Sequence, residues 1–159
     1  MKRTSPAALA LLALGGGVVA FLAELAIAAS GLPIIIPPIS LGFTLVAIGV
    51  IVVLLAWPVR RAVRATVKVH IDPFRAMRVA VLAKASAFSG ALFTGAGIGL
   101  LFYLLSRSVA PVTTSLWLAV AMAAGGLILL IAGLVAEYFC VLPPDDRDND
   151  APQPHGSHA

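Results

Sequence analysis

Three ionisable side chains, Glu24, Lys84 and Glu137, lie inside long apolar runs of this chain. A carboxylate in such surroundings is a candidate acceptor of a proton or a cation, and a lysine there is a candidate partner for a carboxylate. Ionisable residues inside membrane spans are costly, and they commonly mark pathways or buried pairs. These three positions are therefore where chemistry is expected first.

The apolar runs that hold these residues are predicted membrane-spanning helices. Of the 159 residues, 60% are hydrophobic and 11% are charged, whereas a soluble domain carries about 25% charged residues. A helix needs roughly 20 apolar residues to cross a bilayer, while strands of a barrel would alternate apolar with polar residues. Four continuous runs satisfy the helical requirement, at about 7–29, 39–59, 79–105 and 116–140.

These runs predict an all-α integral membrane protein with one four-helix domain over residues 1–142 and a disordered acidic cytoplasmic tail at 143–159. Ser5-Pro6 and Asp72-Pro73 predict helix starts, because a proline at the first helical position needs no backbone donor. Gly31 predicts the end of the first helix. The first run exceeds the apolar stretch of about 7–15 residues in a signal peptide, so we expect it to be retained.

Positive charge predicts the orientation of the spans, since basic residues gather in cytoplasmic loops. One predicted face carries Lys2, Arg3 and the six basic residues between spans two and three, and the opposite face carries Arg107. We therefore predict an antiparallel bundle in the cytoplasmic membrane, with both termini in the cytoplasm. Aromatic residues prefer the headgroup level, and those near predicted boundaries are Trp57, Tyr103, Trp117 and Tyr138.

Lys84 and Glu137 are predicted to form an intramembrane ion pair near the cytoplasmic side, because the short connection makes spans three and four antiparallel neighbours. Both lie on small-residue faces, which let helices approach closely in lipid. The face of Lys84 contains Ala87, Ala91, Gly95 and Gly99. The face of Glu137 contains Gly133, Gly126, Ala123 and Ala119. A pair that fixes packing, separate snorkelling to the interface and a direct functional role all stay open.

Glu24 is a separate candidate, towards the outer side. It shares a small-residue face with Ala13, Gly17 and Ala20, and Arg107 is the basic residue on that side that could reach it. Glu24 is a candidate proton or cation acceptor, and the alternative is a carboxylate solvated from outside.

The basic segment between spans two and three, residues 60–78, is predicted to be a loop with a short extended stretch at 66–72. Its basic side chains are candidate contacts for anionic inner-leaflet lipids, and the alternative is that they only set the topology. These candidates are Arg60, Arg61, Arg64, Lys68, Arg75 and Arg78.

Four segments of the chain carry a family resemblance, and they read KRTSP, AWPVRR, DPFRAMRVAVLAKASAFSGAL and AGLVAEYFCVLPPDD. Together they resemble the actinobacterial four-span membrane proteins known as domain of unknown function 3180. The resemblance extends over nearly all of residues 2–146 and implies an integral membrane protein of high-GC Gram-positive bacteria. It implies no activity and no site residue.

The function is predicted from the kinds of site that these residues can and cannot form. No catalytic, metal or cofactor arrangement can be assembled from them, so we expect neither an enzyme nor a nucleic-acid binder. The leading interpretation is an accessory or scaffolding protein of the cytoplasmic membrane that packs with itself or with a membrane protein partner. The alternative is a small transporter or channel that uses Glu24 or the pair of Lys84 and Glu137.

Overall fold

The computed structural model describes residues 5–33, 36–64, 73–106 and 113–140, and these ranges hold four helices and no strand. The helices are α1 (Pro6–Ala29), α2 (Ile39–Arg64), α3 (Pro73–Ser106) and α4 (Thr113–Cys140). All four are long and apolar enough to cross a membrane. The prediction of four potential membrane-spanning helices is therefore confirmed.

Local signals define the two ends of α1. The side chain of Ser5 caps the helix by accepting a hydrogen bond from the amide of Ala8 at 3.4 Å, and Pro6 occupies the first helical position. After Ala29 the chain turns through Gly31, whose φ of +75° is readily adopted only by a residue without a Cβ. The predicted start and end of α1 are both confirmed.

The end of α2 differs from the prediction. The helix continues past Pro58 to Arg64, so Arg60 and Arg61 lie on its last turns and not in a loop. Proline removes one backbone donor, but helix on both sides can tolerate that loss when the freed carbonyl finds another partner. The predicted extended stretch at 66–72 lies outside the described residues, as does the tail at 143–159.

The helices pack in an open row in the order α1, α3, α4, α2. In the described part of the chain, the backbone of α1 approaches only α3, and α2 packs mainly on α4 with a smaller contact to α3. Helix α3 is central because it carries small residues on two sides. One side, with Ala83, Ala87, Gly90 and Gly97, meets α4, and the other, with Gly95 and Gly99, meets α1.

The contacts also define the register of each helix pair. Between α3 and α4 the numbers run in opposite order, since Ala87 meets Gly133 and Gly97 meets Ala123. Between α2 and α4 they rise together, from Gly42 beside Ala121 to Gly49 beside Leu129 and Ala132. Between α1 and α3 they also rise together, as described next.

Candidate functional site

Helices α1 and α3 approach each other closely over three successive turns. Ala13 meets Gly95, Gly17 meets Gly99, and the ring of Phe21 meets Tyr103 edge-on with centroids 5.9 Å apart. A Cβ on Gly95 or Gly99 would collide with the backbone carbonyl of Ala13 or Gly17 respectively. The absence of side chains at these two glycines is therefore what lets the two backbones touch.

Glu24 lies one turn beyond this contact, on the same face of α1. Its side chain is only 5% exposed, and its Oε2 atom is fully buried and accepts no hydrogen bond from the described residues. The side chain does have an interaction partner in the structure, as does that of Tyr103. The alternative of a carboxylate solvated from the outer surface does not fit this burial. Arg107, the basic residue that could reach it, lies outside the described residues.

Tyr103 belongs to this site and not to a ring of interfacial aromatics. It is 3% exposed and packs on Phe21, whereas Trp57, Trp117 and Tyr138 are all exposed, as expected at a headgroup level. A signal for this placement was present in the sequence. Both helices repeat the pattern of two small residues and an aromatic ring at steps of four, and the rings are Phe21 and Tyr103.

Lys84 and Glu137 lie on neighbouring turns of α3 and α4. Both are half-buried, and Ala83 and Ala87, which flank Lys84, both contact Gly133, one turn before Glu137. Glu137 has an interaction partner in the structure. Its pairing with Lys84 stays a prediction.

The predicted small-residue faces of α3 and α4 are correct in part. On α4 the predicted face does contact α3. On α3 the prediction that Gly95 and Gly99 extend the face of Lys84 towards α4 is wrong, because both residues pack against α1. Small residues occur on more than one side of α3, so the sequence spacing alone does not assign a small-residue stripe to a partner helix.

The basic residues that were predicted to contact lipid lie in different environments. The guanidinium carbon of Arg60 lies 4.2 Å from the ring centroid of Phe139, so this side chain links α2 to α4. Arg61 and Arg78 are exposed. The side chains of Arg64 and Arg75, together with all of Lys68, lie outside the described residues.

We expect Phe139→Leu to lower the free energy of unfolding by about 0.5–2 kcal/mol, because it removes the ring beneath the Arg60 guanidinium but keeps an apolar side chain. A detergent titration followed by circular dichroism measures this quantity. Tyr138→Leu is the matched control, since that neighbouring ring is exposed. Equal losses in the two variants would contradict a specific contact with Arg60.

Within the described ranges no three side chains of His, Cys, Asp or Glu come together as metal ligands. The polar groups that could do chemistry in this part of the chain are therefore the buried Glu24 and Tyr103, and Lys84 and Glu137 at the opposite end of α3 and α4.

Comparison with known proteins identifies one family. The sequence model of the family described as "Protein of unknown function (DUF3180)" matches residues 9–144. No curated protein and no solved structure matches the chain.

Proposed function

We propose that this chain, which belongs to the DUF3180 family of proteins of unknown function, is a non-enzymatic accessory or scaffolding protein of the cytoplasmic membrane. In this proposal it crosses the membrane four times with both termini in the cytoplasm, and it acts by packing against another membrane protein or a second copy of itself. The family match and four membrane-compatible helices support the coarse part of this proposal.

The orientation is supported by charge and by register. Basic residues concentrate before α1 and between α2 and α3, which favours a cytoplasmic location for both segments. The opposite order of contacts between α3 and α4, and the common order between α1 and α3, agree with spans that alternate in direction.

The open row of helices is the observation that carries the scaffolding role. Helices α1 and α2 lie at the two ends of the row, and α1 is bound on one side only by the helices of the described part. The glycines at the helix contacts already pack against other helices of this chain, whereas Gly15 faces outwards and nothing lies within 4 Å of a Cβ built on it. A partner would therefore pack on the bulky outer side of α1, which includes Leu11, Val18 and Leu22.

Site-specific photocrosslinking in the native membrane tests this role. A photoreactive residue replaces Val18, which is exposed, or Leu9, which is buried and serves as the matched control. We expect position 18 to yield one discrete protein adduct, whether a second copy or another membrane protein, that position 9 does not. Adducts to lipid alone at position 18 and at an equivalent exposed position of α2 would overturn the proposal.

A second candidate function, a small proton- or cation-coupled transporter, is favoured by the burial of Glu24 within a span. Burial of an ionisable group among helices is costly and is often retained for a relay or an ion site. The pair of Lys84 and Glu137 is the other candidate for such a role. In proteoliposomes with an imposed pH gradient, we expect Glu24→Gln to abolish proton flux with the helix content unchanged. Wild-type protein without flux would remove this candidate.

A further inference from the structure

Helix α3 extends beyond the start of α1, and this leaves part of its α1-facing side uncovered. Leu9 belongs to one buried cluster with Ala87 and Ala91, against which Phe88 packs. Since α1 begins at Pro6, only one turn earlier, and α3 begins at Pro73, several turns of α3 continue past the end of its partner. On this side Met77 and Val81 are both more than half exposed, whereas α2 contacts the same turns of α3 on their other side, at Val79 and Ala83.

A groove lies along this uncovered part of α3. The α1-facing side of α3 runs through Gly99, Gly95, Leu92 and Phe88 at steps of three or four residues. The same steps continue to Ala85, Val81 and Met77, which line a shallow, largely open groove of about 500 Å³ together with Arg78 and Leu82. The groove is therefore the uncovered continuation of a helix-docking surface.

The order of residues along the groove matches an amphiphile. Arg78 is the last residue of the basic segment, and Val81, Leu82 and Ala85 follow it towards the middle of the span. A guanidinium binds a phosphate through two parallel hydrogen bonds, and the apolar residues offer a surface to an acyl chain.

We propose that this groove binds one anionic phospholipid of the inner leaflet, with its phosphate on Arg78 and an acyl chain along Val81, Leu82 and Ala85. The site depends on the proposed membrane orientation but not on any protein partner. It assigns one residue of the basic segment to a specific contact, where the sequence predicted only general attraction to anionic lipid.

The full-length protein, purified in a mild detergent, is titrated with phosphatidylglycerol, and bound lipids are counted by native mass spectrometry. We expect one phosphatidylglycerol to bind more tightly than phosphatidylcholine. Arg78→Gln should weaken that binding by about fivefold to tenfold, as expected for the loss of one phosphate contact. Arg61→Gln, which removes an exposed arginine of α2, is the matched control and should change the affinity by less than about twofold.

Ala85→Trp is a second variant that fills the groove and keeps Arg78. We expect it to weaken lipid binding while circular dichroism shows unchanged helix content. Equal losses in the Arg78 and Arg61 variants would overturn the proposal, because they would indicate attraction to the whole basic surface. Equal binding of the two lipids, competition by inorganic phosphate as strong as by phosphatidylglycerol, or a protein dimer that Ala85→Trp dissociates would each overturn it too.

Discussion

Gly95→Ala is expected to lower the free energy of unfolding by about 2–3 kcal/mol, the upper part of the range for overpacking a tight contact. The added methyl group would collide with the backbone carbonyl of Ala13. A flexible side chain could rotate away, but a helical carbonyl moves only with its helix. In the described part of the chain the backbone of α1 approaches that of α3 and of no other helix, so relieving the collision requires α1 to move relative to α3.

Gly15→Ala is the matched control for this prediction. Gly15 is also a helical glycine, but nothing lies within 4 Å of a Cβ built on it. Alanine is a better helix former than glycine by up to about 1 kcal/mol, so this variant should be neutral or slightly more stable. Titration with a denaturing detergent, followed by circular dichroism, measures both. Similar losses for the two variants would show that α1 and α3 do not make this backbone contact.

The helices could be predicted from the sequence because span length, proline and capping residues are local properties. Ser5 and Pro6 were sufficient to place the start of α1. The end of α2 was misplaced because the apolar run stops at residue 59 and the basic residues after it were assigned to a loop, whereas the backbone continues as helix through Pro58 to Arg64. A proline constrains its own turn, but tertiary packing decides whether the helix resumes after it.

The short connection correctly predicted that α3 and α4 are neighbours. The rest of the helix order could not be predicted, because membrane helices are apolar on almost every side. In water, an apolar stripe distinguishes the core face of a helix from its solvent face, and that contrast is missing here. Gly95 and Gly99 were assigned to the face of Lys84, yet they meet Ala13 and Gly17. Which small-residue stripe packs against which is decided by how closely the surfaces of two particular helices fit together, and the sequence of one helix does not show this.

The position of Glu24 was predicted in part. Its place on the face of Ala13 and Gly17 was correct, since that face packs on α3. The burial of Tyr103 against Phe21 was missed, because a tyrosine near the end of a span was interpreted as an interfacial residue. The structure buries both side chains, and Tyr103 packs on Phe21, one turn before Glu24 on α1.

Glu24→Lys is expected to lower the free energy of unfolding by about 3–5 kcal/mol, the cost of leaving a buried charge without compensation. The new ammonium group would lie on the face of α1 that packs against α3, beside the turn where Phe21 meets Tyr103. It could reach water only by separating the two helices. Glu24→Gln keeps the size and a polar end, so we expect it to cost less than about 1 kcal/mol.

Leu25→Lys separates burial from the general cost of a lysine in a span. Leu25 is the next residue of α1, but it is 51% exposed, and it lies near the end of the helix at Ala29. A lysine there can extend to the interface along the outside of α1, so a loss of at most about 1 kcal/mol is expected. Detergent titrations of the three variants give the comparison. A loss for Leu25→Lys as large as that for Glu24→Lys would mean that depth in the membrane, and not the contact with α3, determines the cost at position 24.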